Sequence, residues 1–392
     1  IPFRDKIHAR LDTLNRFARR GAPWKGEDGN YYWSANDGSH NQAIIYRAAT
    51  PDGEGEVFLD PNALSDDGTV ALTGIFMSKD GKHTAYTISR SGSDWTEIYV
   101  MDTESGKLLE DHIEWAKFTG AAWQEDGFYY SAYDAPNKGK EFSNANEYHK
   151  VYYHKLGTPQ SEDVVAYEDK TQPLYFHHAT VGDKGKMLAV TASGQGLGNS
   201  LKVRTGNSAW VDIEPTQNFT NDVIGMVDGK VYLFTSADAP RNRFVLVDPA
   251  KPARKDWVEI IPEDPDGGVL TSVQFAGKDH FIAVFDRDAS NHAYLYGIDG
   301  KKLSEIALPT YGTVGFSSDR DNEDVYYTFS SFVYPAAIYA YDLATNESIP
   351  FYQTEISGLN PDDYVTEQVF YTSADGTKVP MFLTYRKGLE RN

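Results

Sequence analysis

The sequence has no cysteine, a shortage of positive charge and no long apolar run, and each shortfall removes a class of function. Without cysteine there is no disulfide framework, no thiolate metal site and no cysteine nucleophile. The 37 Lys and Arg residues face 57 Asp and Glu, a formal net charge of -20. No Lys/Arg stripe with interleaved aromatics offsets that charge locally, so a phosphate backbone is repelled and nucleic acid is not expected as a partner. No stretch of about 18 uninterrupted apolar residues occurs, so no helical membrane span and no membrane partner are expected. Gly-x-Ser-x-Gly is missing too, and with it the nucleophile elbow of an α/β-hydrolase; no obvious Ser, Asp and His grouping replaces it.

What is abundant is aromatic: 26 Tyr, 20 Phe and 7 Trp, beside 33 Gly and 18 Pro, a mixture that favours pleated strands broken by turns. A short amphipathic helix opens the chain, because Ile7, Leu11, Leu14 and Phe17 recur at helical spacing before the breaker Gly21. The period then changes to two. Residues 30–35, 83–89, 128–133, 186–192, 230–236, 280–285 and 324–329 read as aromatic or β-branched strands. Tight turns such as Asp28-Gly29, Asp80-Gly81, Asp126-Gly127 and Asp228-Gly229 precede them, recurring roughly every 49 residues, the length of a four-stranded propeller blade.

Each repeat can be completed. Third strands follow at 42–47, 96–101, 149–154, 200–204, 243–247, 291–296 and 337–341, and inner strands carry small residues, as at Thr73-Gly74 and Gly120-Ala121-Ala122, where blades converge on an axis. The expectation is an all-β, seven-bladed β-propeller. Its first repeat has its own inner strand near Pro23 and its seventh its own outer strand at 348–352, so the ring closes without strand exchange. A shared blade would add about four backbone hydrogen bonds at ~1 kcal/mol each, so its absence makes parting the first and last blades easier. After about Asp363 the pattern leaves the propeller: residues 369–385 read as two strands around Asp375-Gly376, the start of a truncated second domain.

Few residues suggest chemistry. His149, His154, His177 and His178 cluster loosely without the spacing of a zinc motif and read as ordinary loop or blade histidines. Gly194-Gln195-Gly196-Leu197-Gly198 lies between two strands and opens no helix, so it is a connecting loop rather than a phosphate cradle. The acidic runs 263–266 and 319–324 lack calcium-loop spacing and read as solvated turns. No metal and no cofactor are assigned. In Ser91-Gly92-Ser93-Asp94-Trp95 a carboxylate stands beside an indole, either a capped turn or an interdomain salt bridge to an arginine. Phe118 is either a blade-packing aromatic or an apolar contact for something in the central channel.

Taken together, residues 57–72, 91–95, 152–163 and 375–382 make the chain resemble the propeller portion of the prolyl oligopeptidase family of serine peptidases. In that family an α/β-hydrolase domain, assembled from an N-terminal segment and the C-terminal part of the chain, carries a Ser, Asp and His triad that cleaves short peptides after proline, while the propeller covers the site. The resemblance implies three parts: a linker helix from the hydrolase domain at 1–21, the propeller at 22–362, and the start of the hydrolase domain at 363–392. The triad then lies beyond Asn392, and residues 1–392 alone are inactive. By the same resemblance Phe118 and Gln195 contact substrate, Gln195 at a position that is cysteine in some members, and Asp94 pairs with an arginine of the hydrolase domain. Residues 135–148 form a mobile loop at the domain interface. The implied partners are short proline-containing peptides and the α/β-hydrolase domain of the same protein, in a cytoplasmic monomer, with a periplasmic or secreted location left open. A stand-alone propeller serving as a protein-interaction scaffold is the competing reading.

Overall fold

The computed structural model describes residues 3–141, 143, 145–194 and 196–390. The seven aromatic strands expected from the sequence all form, as Tyr31–Asn36, His83–Arg90, Gly127–Ala132, Met187–Ser193, Lys230–Thr235, His280–Arg287 and Val325–Ser330. Each pairs antiparallel with the third strand expected after it. At one hairpin that carries two left-handed residues the sequence supplies Asp-Gly: Asp228 and Gly229 take φ of 51° and 73° between Asn221–Val227 and Lys230–Thr235.

The strands are grouped in short meanders. Four sheets run in simple chain order, 176–214, 221–261, 269–306 and 313–353, each of four strands. An eight-stranded sheet over 70–168 consists of two such meanders joined by a single pair, Ala116 with Ala132. The first sheet orders Arg19–Arg20, Tyr31–Asn36, Ile44–Ala48 and Glu56–Leu59, with Trp24–Lys25 also on Tyr31–Asn36. Its inner strand near Pro23 is thus present but broken at residues 21–23, where proline has no N–H to give a ladder.

The chain divides into two compact units. One comprises Ile1–Lys25, Tyr31–Val57 and Glu263–Asn392, the other Gly26–Asn30 and Phe58–Pro262. In the second, a strand buries both of its faces against neighbouring sheets. Met187 and Ala189 pack with Leu233, Val245 and Trp257, while the intervening Leu188 and Val190 pack with Tyr129, Val151 and Ala179. That two-sided burial is why residues 187–192 are apolar almost without alternation. Each such buried aliphatic contributes about 1.5–3 kcal/mol.

In the first unit, the sheets 19–59 and 313–353 lie side by side, and no strand of one pairs with a strand of the other. Side chains make the contact instead. Tyr31 Oη donates to Asp324 Oδ2 at 2.5 Å, Ser317 Oγ donates to Pro23 O at 3.3 Å, and the Arg20 guanidinium stacks on Trp33 and Phe351 at 4.3 and 5.3 Å. Glu347–Gln353 is the outer strand of its own sheet. The C-terminal strands Tyr364–Thr372 and Lys378–Arg386 pair only with each other, and Phe382 rests on Tyr311 and Phe332. The helix runs Arg4–Asn15, two residues short of Phe17, and none of its residues is buried; Ile7, Leu11 and Leu14 face solvent.

Candidate functional site

In an antiparallel four-strand meander, the connection from second to third strand and the connection out of the fourth emerge at the same end. In the second unit that end gathers the turn 91–95, the connection 117–121, Tyr148 with His149, and the start of Phe176–Gly182. The backbone there is strained. Ser91, Trp115, Phe118 and Tyr148 hold φ of 52°, 59°, 52° and 60°, a left-handed region that bulky residues enter at a cost of about 1–3 kcal/mol each. The cause is visible at Trp115, where the register of Leu108–Ala116 on Thr96–Asp102 slips between Thr96 and Ile98.

Asp94 and Phe118 meet in one cluster through Lys117. The Asp94 carboxylate, 76% exposed, lies 3.4 Å from Lys117 Nζ. That ammonium sits 5.1 Å from the Trp95 ring centre and 5.5 Å from that of Phe118, so one cation serves a carboxylate and two aromatic faces. Trp95 is fixed edge-on to Trp115 at 5.6 Å and Tyr133 at 6.4 Å, and its Nε1 donates to Glu141 O at 2.9 Å. That last bond reaches the segment 135–148 at Glu141; Phe142 and Asn144 lie outside the described residues. Phe118 itself is 50% exposed, its ring tilted on Phe176 at 5.0 Å and edge-on to His149 at 6.4 Å. Two recesses are lined by residues of these sheets. One, of about 240 Å³, is lined by Arg90, Trp95, Glu97, Glu114 and Trp115; the other, of about 280 Å³ and mainly apolar, by Phe76, Gly120, Trp123 and His178.

Gln195 lies outside the described residues. The backbone around it is anchored to the next strand connection: Gly196 N donates to Gln217 Oε1 at 3.1 Å, Gly198 N to Gln217 O at 2.9 Å and Asn199 N to Phe219 O at 3.0 Å. These amides are taken up by protein acceptors, consistent with a connecting loop.

Three of the four histidines expected to be unremarkable, His149, His154 and His177, fall into two buried networks, while His178 is exposed. His149 Nε2 donates to Lys117 O at 2.9 Å, while its Nδ1 accepts from the His177 N–H at 2.8 Å. Burial pulls its pKa down to about 4, so the ring is neutral at ordinary pH. His177 Nδ1 donates in return to His149 O at 2.8 Å, and its buried Nε2 meets no partner among the described residues. His154 is wholly buried between two carboxylates, with Nδ1 2.7 Å from Asp163 Oδ1 and Nε2 3.1 Å from Asp111 Oδ1. Burial alone would lower its pKa, but the bonds and charges of Asp163 and Asp111 outweigh it and the net direction is up.

One Ser, Asp and His do lie together among the described residues, though not as a catalytic grouping. Asp37, Ser39 and His40 meet on one exposed turn. The arrangement is not that of a triad: Ser39 Oγ gives its proton to Asp37 Oδ1 at 2.6 Å, and His40 Nδ1, 3.3 Å from the hydroxyl, gives its own to the same Asp37 oxygen at 3.0 Å, so the carboxylate rather than the imidazole takes the hydroxyl proton. The acidic turns are likewise occupied from within the chain. Asp264 accepts from Arg287 Nη2 at 2.6 Å and Gly268 N at 2.9 Å, and Asp324 from Tyr31. Around Phe118, then, the geometry suits binding rather than bond-breaking: an exposed ring on a strained connection, bordered by an ion pair.

Residues 1–354 match the family described as prolyl oligopeptidase, N-terminal beta-propeller domain. The chain is 36% identical to the prolyl endopeptidase of Elizabethkingia meningoseptica and 34% identical to that of Elizabethkingia miricola, in each case over 100% of this chain and 55% of the relative. Among solved structures, prolyl oligopeptidase B from Galerina marginata, bound to a 25mer macrocyclization substrate, superposes with a TM-score of 0.89 at 27% identity. That match covers 99% of this chain and 58% of the other. A structure from a study of two prolyl endopeptidases and the role of inter-domain dynamics superposes with a TM-score of 0.88 at 31% identity, over 99% of this chain and 57% of that one. The chain therefore spans little more than half the length of the relatives it matches.

Proposed function

The chain belongs to the prolyl oligopeptidase family, matching its N-terminal propeller domain, and we propose that it is the gating, size-selecting portion of a serine endopeptidase that cleaves short peptides after proline. The observation that carries this reading is Phe118: a bulky ring held in left-handed backbone, half exposed, beside Asp94 and Lys117 at one end of the sheets. In this reading Phe118 and Gln195 contact substrate, and Asp94 exchanges Lys117 for an arginine of an α/β-hydrolase domain. The large exposure of Asp94 supports that exchange, since its carboxylate stays within reach of a second cation.

The architecture we propose is a seven-bladed propeller over residues 22–362. Its support is the four-stranded grouping, counting the eight-stranded sheet as two blades joined at Ala116 and Ala132, and the side-chain contact between sheets 19–59 and 313–353. Residues 1–21 act as a linker helix and 363–392 as the first strands of the hydrolase sheet. The exposed Ile7 and Leu11, and Phe370, Tyr371 and Met381 on the unpaired hairpin, are apolar surface suited to such a partner. The catalytic Ser, Asp and His lie outside residues 1–392, in keeping with the absent Gly-x-Ser-x-Gly.

The test is hydrolysis of a fluorogenic glycyl-prolyl peptide, with fluorophosphonate labelling, by the natural gene product and by residues 1–392 alone. Cleavage and labelling confined to the natural product is the expected result. Neither activity in either sample would instead favour an interaction scaffold.

A further inference from the structure

His149 is bonded to main chain at both ring nitrogens, and both bonds reach the residues that carry Phe118. The Lys117 carbonyl that accepts from Nε2 belongs to the peptide group immediately before Phe118, so holding it limits the rotation that sets the φ of 52°. The His177 amide that donates to Nδ1 lies one residue past Phe176, the side chain on which the Phe118 ring rests. The same stretch is held from the other side, where Lys117 N donates to Ser131 O at 3.2 Å and Thr119 Oγ1 accepts from Ser131 N at 2.7 Å. Because Nδ1 accepts and Nε2 donates, a single neutral tautomer satisfies the site.

We propose that His149 is a positioning residue: by clamping the Lys117 carbonyl and the His177 amide at once, it holds Phe118 in its left-handed conformation with its ring offered to the peptide. The inference rests on the reading that Phe118 contacts substrate, and adds the device that presents it. His149 acts through the backbone and touches no substrate atom. Asn and Gln dissect it, because asparagine places a polar atom where Nδ1 stands and glutamine one where Nε2 stands.

The experiment measures KM and kcat for a fluorogenic glycyl-prolyl peptide with the natural full-length gene product and its His149→Asn, His149→Gln and Phe118→Ala variants, and with His149→Asn in the Phe118→Ala background. His149→Asn loses the bond to Lys117 O and should raise KM about tenfold at nearly unchanged kcat, whereas His149→Gln keeps it and should stay within about threefold. In the Phe118→Ala background the Asn substitution should add little, since the group it positions is gone. Equal effects of Asn and Gln, or an undiminished effect of Asn when Phe118 is already alanine, would overturn the proposal. So would a Phe118→Ala variant with the wild-type KM, which removes substrate contact by Phe118 while leaving the family activity intact. A wild-type product that cleaves no proline peptide sinks the functional reading itself. A readout independent of activity is the imidazole ¹⁵N spectrum at neutral pH: protonated Nε2 with bare Nδ1 is expected at His149, and the opposite tautomer or an imidazolium contradicts the clamp.

Discussion

Replacing His154 with alanine should be among the most damaging single substitutions in the unit that holds it. The ring lies between Asp111 and Asp163, whose side chains are 3% and 2% exposed, and its removal leaves two carboxylates facing a cavity with no cation between them. Gly157 N still donates to Asp111 at 2.6 Å and Tyr130 Oη to Asp163 at 2.7 Å, but neither neutralises a charge. Removing one partner of a buried ion pair costs about 3–5 kcal/mol. For a unit of this size each kcal/mol is worth roughly 2–4 °C, so the melting transition should fall by about 6–20 °C. The pH dependence carries the sign. The folded-state pKa of His154 is raised above the ordinary 6.5, so its contribution is complete below pH 6.5 and is lost as pH rises through the higher folded value. Urea midpoints of residues 1–392 should therefore decline as pH rises above the ordinary histidine value of 6.5, and the decline should be much reduced in His154→Gln. A His154→Ala melt within about 2 °C of wild type, or an unchanged pH slope in His154→Gln, would refute the reasoning.

Three further outcomes follow from other contacts. Glu214 is wholly buried and accepts from Arg254 Nε at 3.1 Å and Thr216 N at 2.9 Å; Glu214→Ala should cost about 3 kcal/mol by urea unfolding, the lower end of its class because Arg254 keeps solvent access. Tyr31→Phe removes the hydrogen bond to Asp324 and should cost about 1 kcal/mol. Its amide exchange should quicken first in Trp24–Lys25 and Thr313–Ser317, and a uniform increase across the chain would contradict a local seam. Gly127→Ala should destabilise by roughly 2–4 kcal/mol, because a Cβ there would stand 2.0 Å from His154 O, whereas Gly206→Ala, with open space around it, should cost about 1 kcal/mol for its φ of 53° alone; comparable melts for the two would falsify that distinction.

The strands were legible in the sequence because they are set by local chemistry. Aromatic and β-branched residues are concentrated over 83–90 and 325–330, and Asp-Gly pairs such as Asp80-Gly81 mark several of the hairpins. The lateral join at Ala116 and Ala132 was not legible, since one bridge between two alanines leaves no pattern. The same holds at the site. Nothing in Trp115 announces left-handed backbone, because that conformation comes from a register slip set by the facing strand, and nothing in Phe118 announces its own. Lys117, which serves Asp94, lies more than twenty residues along the chain in another connection, and the two histidine networks join residues up to 43 apart in sequence. The loose spacing of four histidines could suggest a cluster, but not which ring nitrogen meets which carbonyl.

The central claim, that this chain is the size-selecting cover of a proline-directed peptidase, is tested most directly by the substrate range of the natural full-length product. The measurement is mass-spectrometric mapping of cleavage in short proline-containing peptides, in an unfolded protein and in a folded one. Cuts on the carboxyl side of proline in the short peptides, with both proteins spared, is the predicted result. Cleavage of the proteins at a comparable rate, or cuts without regard to proline, would contradict it.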